Sequence, residues 1–465
     1  MPTDPRTIAE LAHALRGREV TAAEITERCL SAIAERNTTL NAFITVLSDK
    51  AREQARRADA ELAAGQDRGL LHGVPISIKD LIDIEGTATT AASRVRVDHR
   101  ARADSTVLAR LREAGAVLIG KTNLHEFALG TTNEDSAFGP ARHPFDTSRS
   151  PGGSSGGSAV SVVADMCFGS IGTDTGGSIR IPSAACGLVG LKPSIGEIPM
   201  DGVFPLSATL DHVGPICRSV EDAAIVYSTL RAGPYQSALP AAGTRPLRFG
   251  VLRGYFTAKI DAHIESQIEA TYERLKSAGV ELRDTRVQHA SDISNVYSFI
   301  AIPEAALHHT KTLEDRPGDY TENVRLRLES GRYILAEDYL RAMRGRGVLI
   351  HEVDEAMEDL DGLLLPAMPI PATTIGVPTV RVGESEEQVR AMTLRLTQLF
   401  NVTGHPAITI PCGLTPDGFP AGLQMVGHRD QTAALLGVAR RLEPVIDTQS
   451  IARGGRRPSA AASAR

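Results

Sequence analysis

A glycine- and serine-rich segment, SPGGSSGGSAV at residues 150–160, has the composition of a site that binds negative charge. Glycines allow bare backbone N–H groups to approach a ligand closely. The apolar residues that follow suit a buried helix, so we expect Ser154 and Ser155 near its N-terminus, where the helix dipole favours an anion or an oxyanion. The alternative is a flexible glycine–serine linker, but linkers do not normally lead directly into a small-residue apolar helix.

The segment IGTDTGGSIRIPS at residues 171–183 predicts a second tight turn. Gly176 and Gly177 precede Ser178 and allow successive backbone N–H groups to converge, which is the arrangement that stabilises a tetrahedral oxyanion. Asp174 and Arg180 flank the turn, and a salt bridge between them would hold it in place. An ordinary glycine-rich turn is the alternative.

Lys79 follows the apolar run of the segment LLHGVPISIKDLID at residues 70–83, so its side chain is a candidate for the protein interior. Burial lowers the pKa of a lysine and makes the amine a usable base. Taken alone, however, this segment favours a surface ion pair between Lys79 and Asp80. His72, just before the run, is compatible with a pocket residue or with a capped loop histidine.

Two further motif matches lack the context that their chemistry needs. Residues 115–122 fit the Walker A spacing GxxxxGK[ST], but the four middle residues are Ala-Val-Leu-Ile, which predicts a buried strand and not a phosphate-binding loop. Residues 152–156 fit GxSxG, but a polar loop precedes them where a nucleophile elbow needs a hydrophobic strand. Nucleotide binding and a nucleophilic Ser154 on an elbow are therefore disfavoured. The histidines and cysteines show no metal-binding spacing, so no metal ligand is predicted.

The composition argues against several classes of protein. Fifty Lys and Arg residues stand against 56 Asp and Glu residues, and the formal net charge of −6 argues against a nucleic-acid binder. The five cysteines are scattered without a CxxC pair, which is typical of reduced thiols. The N-terminus has no signal-peptide pattern, and no apolar run reaches the roughly 18 residues of a membrane span. We therefore expect a cytoplasmic protein without nucleic-acid or membrane partners.

Short apolar runs alternate with glycine-rich turns and helical patterns from residue 72 onward. Runs without polar alternation predict strands that are covered on both faces, and hence an α/β architecture. The runs lie at residues 74–78, 116–119, 168–172, 249–252, 362–365 and 407–410. We expect N-terminal helices over residues 1–65, with a capping box from Thr21 to Glu24. We also expect a helical insertion or lid at 301–360 and a disordered tail at 452–465.

The order of Lys79, PGGSSGG and GTDTGGSIRIP along the chain resembles the amidase signature family. The resemblance extends over most of the chain, through pieces such as LHGVPISIKD, GKTNLHEFALG, CGLVGLKPSIG and FNVTGHPAITIPCG. It implies one large α/β domain over residues 1–451, with a mixed β-sheet core sandwiched between α-helices. It also implies an enzyme that uses neither a metal nor an organic cofactor.

The catalytic unit of that family is a Ser–Ser–Lys triad. Carried over by motif position, the resemblance implies that Ser178 is the nucleophile, Lys79 the final base and Ser154, held on a cis peptide, the serine between them. The implied oxyanion donors and supporting residues are the backbone N–H groups of Thr175, Gly176, Gly177 and Ser178, and the side chains of Asp174 and Arg180.

The resemblance also implies a reaction: hydrolysis of a carboxylic or ureido-type amide to an acid and ammonia or an amine. A stand-alone amidase acting on a small-molecule amide is favoured, and a homodimer is compatible with the sequence. The alternative is the glutaminase component of an aspartyl/glutamyl-tRNA amidotransferase. Against it, residues 301–345 lack a tyrosine run usual in those components, and Asp430 and Gln431 stand where they usually read F-D-E. We expect the pocket to be lined by the loops 125–133 and 366–372 and by residues 301–345.

Overall fold

The computed structural model describes residues 4–240, 243 and 245–447, where it contains thirteen strands and fifteen α-helices. The predicted disordered tail at 452–465 lies outside the described residues. The strands are β1 (Phe43–Val46), β2 (Pro75–Lys79), β3 (Val117–Thr122), β4 (Gly169–Asp174), β5 (Val189–Lys192), β6 (His212–Cys217), β7 (Arg248–Leu252), β8 (Glu281–Thr285), β9 (Gly362–Pro366), β10 (Thr379–Val382), β11 (Ser385–Gln388), β12 (Ala407–Leu414) and β13 (Pro420–Val426). The α-helices are α1 (Ile8–Arg16), α2 (Ala22–Leu40), α3 (Ser48–Ala63), α4 (Thr106–Glu113), α5 (Gly156–Val163), α6 (Arg180–Cys186), α7 (Val220–Arg231), α8 (Tyr235–Ala238), α9 (Ala262–Ser277), α10 (Ile293–Asp315), α11 (Glu322–Gly331), α12 (Ala336–Ala356), α13 (Val389–Leu394), α14 (Gln398–Thr403) and α15 (Thr432–Ile446).

Eleven of the strands form one mixed sheet in the order β1-β3-β2-β4-β6-β5-β12-β13-β9-β7-β8, and β10 pairs with β11 in a separate hairpin. β2 runs parallel to β3 and β4, and β7 runs parallel to β8 and β9. The other neighbours in the sheet are antiparallel. Each apolar run singled out in the sequence overlaps one of these strands, which confirms the predicted α/β class with a mixed sheet. The Walker-like residues form strand β3, so no phosphate-binding loop exists there.

Helices cover the sheet on both faces, and strand β9 shows why its residues are all apolar. Leu364 packs into a core that includes α1, α2, α7, α9 and α15, whereas Leu363 and Leu365 pack into a second core with α10, α12 and α14. Successive side chains of a strand point to opposite faces of the sheet. A continuous apolar run is therefore what a strand between two helical layers requires.

The N-terminal helices begin with reciprocal caps. The Thr21 hydroxyl accepts from the Glu24 N–H at 3.1 Å, and the Glu24 carboxylate accepts from the Thr21 N–H at 2.9 Å, as the sequence predicts for the start of α2. The same box between Thr7 and Glu10 opens α1. Each box satisfies two N–H groups that a helix start leaves without partners.

An aromatic cluster holds the helices of the 301–360 region against the loop after β3. The ring of Phe127 lies 4.3 Å from that of His309 on α10, 5.6 Å from that of Tyr320 and 5.3 Å from that of Phe204. Apolar residues of α11 complete this cluster. The helices therefore lie over the ends of β2 and β3, although a role as an insertion or lid stays a prediction, as does the division of the chain at 1–65 and 1–451.

Gly157, in the first turn of α5, tests how tightly the serine loop is packed. A Cβ atom here would lie 2.5 Å from the carbonyl oxygens of Ala42 and Asn123, which are backbone atoms that cannot move alone. We expect Gly157→Ala to lower the free energy of unfolding by about 1–3 kcal/mol in urea denaturation. The control is Gly347→Ala on α12, where nothing lies within 4 Å. This control should stabilise by about 0.5–1 kcal/mol, and equal effects would contradict the expectation.

Candidate active site

The amine of Lys79, the last residue of β2, lies in a fully buried polar cluster. Its Nζ is 2.7 Å from Ser154 Oγ and 2.7 Å from Thr173 Oγ1. Burial lowers the pKa of Lys79 to about 7, although the charges of Asp174 and Asp211 oppose this shift. An amine with this pKa is largely unprotonated at slightly alkaline pH, as a general base must be.

The two serines of the loop before α5 have different partners. Ser154 follows a cis peptide bond from Gly153, and its hydroxyl oxygen contacts the Lys79 amine. The Ser155 hydroxyl instead donates to the carbonyl of Thr173 at 3.2 Å. The structure therefore distinguishes the first serine of the pair, as the family resemblance implies.

Ser178 lies in the turn between β4 and α6, next to this serine pair. Its carbonyl accepts from the Ser155 N–H at 3.3 Å, and Ser178 as a whole is only 5% exposed. The fold thus brings Lys79, Ser154 and Ser178 from three separate segments into one buried region.

Three consecutive residues where β4 ends bind three different partners. The Thr173 hydroxyl oxygen contacts Lys79, Asp174 pairs with Arg180, and the Thr175 hydroxyl donates to Asp211. One strand end therefore positions the lysine, the ion pair and the start of the turn together.

The predicted salt bridge between Asp174 and Arg180 is confirmed, and both side chains are fully buried. Arg180 Nη2 lies 2.8 Å from Asp174 Oδ1, and Arg180 Nε donates to Oδ2 at 3.0 Å. Burial opposes ionisation of Asp174, but the guanidinium outweighs it and holds the pKa of that carboxyl below its usual value. The remaining Arg180 donors reach Asn401 Oδ1, Gln424 Oε1 and the Thr397 carbonyl at 2.6, 2.6 and 2.9 Å.

The turn itself has no room for side chains at its two glycines. A Cβ atom on Gly176 would lie 2.6 Å from the hydroxyl oxygen of Tyr297, and one on Gly177 would lie 2.2 Å from Thr397 Oγ1. Gly177 also has φ of 139°, a conformation that L side chains rarely adopt. The Thr397 hydroxyl donates to the Gly176 carbonyl at 2.6 Å and fixes the far side of the turn.

Asp211 fixes the near side of the turn from a buried position before β6. Its Oδ1 accepts from the Thr175 hydroxyl at 2.5 Å, and its Oδ2 accepts from the N–H groups of Leu206 and Ser207 at 2.8 and 3.0 Å. Burial raises the pKa of Asp211 to about 6, although these hydrogen bonds favour the ionised form. The carboxylate links the turn to the segment that precedes β6.

Two of the expected pocket segments contact the serine loop directly. The His125 N–H donates to the Ser154 carbonyl at 3.0 Å, and the Ser150 N–H donates to the Thr373 carbonyl at 2.8 Å, just after residues 366–372. In the helical region, Arg327 Nη1 donates to the Leu129 carbonyl at 3.0 Å.

Sequence reasoning missed the residues that hold the turn from outside its motif. Thr173 is in the motif itself, where its alternation with Asp174 along a strand was the available signal. The others come from distant segments in which a lone polar residue has no pattern: Asp211, Tyr297, Thr397, Asn401 and Gln424.

Two expectations from the third segment need correction. Lys79 forms no surface ion pair with Asp80; the buried Asp80 pairs instead with Lys121 of the neighbouring strand at 2.7 Å. Side chains that follow one another at a strand end point to opposite faces, so Lys79 and Asp80 have different surroundings. His72 lies at the other end of β2 from Lys79 and contacts Glu61 at 3.0 Å, so it is a loop histidine outside the site.

The sequence matches the amidase family over residues 24–436. It is 41% identical over 427 residues to an amidase of Pseudomonas putida, covering 89% of this chain and 90% of the relative. It is 35% identical to the glutaminase component of the glutamyl-tRNA(Gln) amidotransferase of Koribacter versatilis, covering 92% and 96%. A crystal structure of an amidase with 34% identity superimposes with a TM-score of 0.90, covering 95% of this chain and 100% of that one.

The chain therefore belongs to the amidase signature family, and it is a hydrolase that acts on C–N bonds of non-peptide amides. A bacterial aryl acylamidase of this family, 24% identical with a TM-score of 0.87 over 97% of this chain and 98% of that one, shares the fold. Within residues 4–240, 243 and 245–447, no helix is long and apolar enough to cross a bilayer. The same ranges contain no cluster of three His, Cys, Asp or Glu side chains that could hold a metal ion.

Removing the Arg180 guanidinium should be far more destabilising than removing a surface one. Arg180→Met leaves Asp174 buried without a counter-charge, which is expected to lower the free energy of unfolding by about 3–5 kcal/mol. The matched control is Arg332→Met, because Arg332 pairs with Glu314 at 2.8 Å on the exposed surface. This control should cost less than about 1 kcal/mol. Similar urea midpoints for both variants would contradict the assignment of the buried pair as the main support of the turn.

Proposed function

We propose that this chain is a stand-alone amidase that hydrolyses a carboxylic or ureido-type amide through an acyl-enzyme on Ser178. Ser154 and Lys79 form the proton relay. The observation that carries this proposal is the 2.7 Å contact between the Lys79 amine and Ser154 Oγ, in a buried cluster beside Ser178. Serine is a weak nucleophile until an adjacent base takes its proton, and the relay supplies that base.

Acylation begins with Lys79 in its neutral form. The lone pair of the amine accepts the Ser154 proton, while one of its N–H bonds donates to Thr173 Oγ1, so the two contacts at 2.7 Å keep the lone pair aimed at Ser154. The Ser154 oxygen takes the proton of Ser178, and Ser178 Oγ attacks the amide carbonyl carbon. A C–O bond forms, and the carbonyl π electrons move onto the oxygen.

The backbone N–H groups of residues 175–178 stabilise the resulting oxyanion in this proposal. Because Asp211 and Thr397 hold the turn at both ends, its donors need little reorganisation during the reaction. Removing one donor of this kind typically raises the barrier by about 3–4 kcal/mol.

The same relay then works in reverse. As the oxyanion collapses, the C–N bond breaks, and the proton held by Lys79 passes through Ser154 to the leaving ammonia or amine. Water gives a proton to the relay and attacks the acyl-enzyme, which releases the acid and restores the Ser178 hydroxyl. Protons balance over the cycle, and the chemistry needs no cofactor.

The rate should rise with pH through about 7. Only neutral Lys79 accepts a proton, and burial lowers its pKa to about 7. We therefore expect kcat/KM for a non-ionising amide to fall about tenfold per pH unit below that value and to level off above it. Ammonia release measured between about pH 5 and 9 tests this, and a limb near the ordinary lysine value of 10.5 would contradict the proposed base.

Loss of the nucleophile should abolish turnover. Ser178→Ala and Lys79→Ala are each expected to lower kcat by at least about 10³-fold, assayed as ammonia release from glutamine, an aliphatic amide, an aromatic amide and a ureido compound. Ser183→Ala is the control, because the Ser183 hydroxyl donates only to the Ile179 carbonyl at 2.8 Å on α6. Full activity of Lys79→Ala would falsify the relay.

One observation favours a second candidate, the glutaminase component of a tRNA amidotransferase. The chain is 35% identical to such a component over most of both lengths. If the purified chain alone releases ammonia only from glutamine, and weakly, this candidate is the better one. Turnover of any other amide that disappears in Ser178→Ala supports the stand-alone enzyme.

We further propose that the enzyme works in the cytoplasm. All five cysteines are free and buried, which agrees with a reducing compartment. A homodimer stays a prediction, and sedimentation of the full chain would test it.

A further inference from the structure

Arg390 has a partly buried guanidinium near the active-site turn and no acidic partner. It lies on α13, and Leu394 of the same helix contacts the turn, because a Cβ atom on Gly176 would lie 2.9 Å from Leu394 Cδ2. Among the described residues, no carboxylate oxygen lies within 4.0 Å of the Arg390 guanidinium. A cation held partly out of water without a counter-charge is unfavourable unless a ligand supplies one.

A second cation, Arg327 on α11, acts on the same space. Its Nη1 donates to the Leu129 carbonyl at 3.0 Å, in the loop that follows β3. Burial and then the repulsion of Arg390 lower the pKa of Arg327 to about 10, so the two guanidiniums are close enough to affect each other. Asp135, the acidic group that favours the Arg327 charge, already has an oxygen 3.2 Å from His125 Nε2.

Tyr297 on α10 connects these cations to the reaction centre. Its hydroxyl oxygen lies against the turn, 2.6 Å from where a Cβ atom of Gly176 would stand. Burial raises the pKa of Tyr297 to about 12, and the charge of Arg390 is the largest influence against that shift. Within the described part of the chain the hydroxyl has no hydrogen-bond partner, so it is free to donate to a ligand.

We propose that Arg390, assisted by Arg327 and the Tyr297 hydroxyl, binds a carboxylate on the acyl part of the amide substrate. A guanidinium offers two parallel N–H donors that match the two oxygens of a carboxylate. This inference rests on the proposed function, because the carboxylate and the cleaved amide belong to one substrate. Ammonia carries no carboxylate, so in a primary amide the charge has to lie on the acyl side.

The substrate class is therefore the half-amides of dicarboxylic acids. Two guanidiniums also repel an ammonium group. Glutamine is thus expected to be a poorer substrate than glutaramate, which is the same molecule without the α-amino group. Pentanamide, in which a methyl group replaces the carboxylate, is the neutral comparison.

The test measures kcat/KM for ammonia release from glutaramate, pentanamide and glutamine. The wild type should prefer glutaramate to pentanamide by about 10–100-fold, the range of one or two charge-assisted hydrogen bonds. Arg390→Met should lose that preference while its turnover of pentanamide stays within about threefold. Arg390→Lys, which keeps the charge but loses the fork, should recover part of the preference.

The matched control is Arg344→Met on α12, because Arg344 is exposed and, among the described residues, also lacks an acidic partner. It should leave all three substrates unchanged. A wild type that turns over glutaramate and pentanamide equally, or an Arg390→Met variant that loses both equally, overturns the proposal. A preference for an N-acyl amino acid over glutaramate would move the carboxylate to the leaving group and overturn the acyl-side assignment.

A binding measurement separates this proposal from the proposed function. Glutarate, the expected product, should raise the melting temperature of the wild type and of Ser178→Ala but not that of Arg390→Met. Glutarate binding without hydrolysis of any amide would keep the carboxylate site and reject the amidase proposal. Hydrolysis of pentanamide without glutarate binding would keep the amidase and reject the carboxylate site.

Discussion

The buried ion pair between Asp174 and Arg180 fixes the geometry on which the rest of the site depends. Bringing two such ions out of water costs several kcal/mol each, of the order found for buried pairs in general. The cost is offset here because Asn401, Gln424 and the Thr397 carbonyl use the remaining donors of the guanidinium. These partners come from α14, the residue before it and β13, so one guanidinium joins the two halves of the sheet to the nucleophile turn.

The same carboxylate also shapes the chain directly after Ser178. Asp174 Oδ2 accepts from the Ile179 N–H at 3.1 Å, so the ion pair sets the backbone path at the residue next to the nucleophile. Two buried lysines on neighbouring strands show how local partners divide their roles. Lys121 has the Asp80 carboxylate at 2.7 Å, whereas Lys79 has only hydroxyl partners. Burial lowers the pKa of both, but only Lys79 lacks a contacting anion that would hold its proton.

The sequence is informative where the physical requirement is local. Strands such as β9 could be predicted because a strand covered on both faces must be apolar at every position, and the nucleophile turn could be predicted because two adjacent glycines are needed for its tight path. Asp211 and Thr397 could not be predicted, since they act on Gly176 and Thr175 only after the sheet has brought distant segments together. Arg390 is an extreme case, because an arginine on a short helix is ordinary until the structure shows what does not pair with it.

The end of β4 has a further consequence for how this region tolerates change in length. Thr173, Asp174 and Thr175 reach the lysine, the arginine and Asp211 in turn, because the backbone there is extended and successive side chains point in different directions. Inserting or deleting one residue before Ser178 would exchange these directions and separate all three partners at once. The hairpin between β10 and β11 has no such dependence. Variation in chain length is therefore expected to concentrate in surface turns of this kind, while the spacing from Thr173 to Ser178 stays constant.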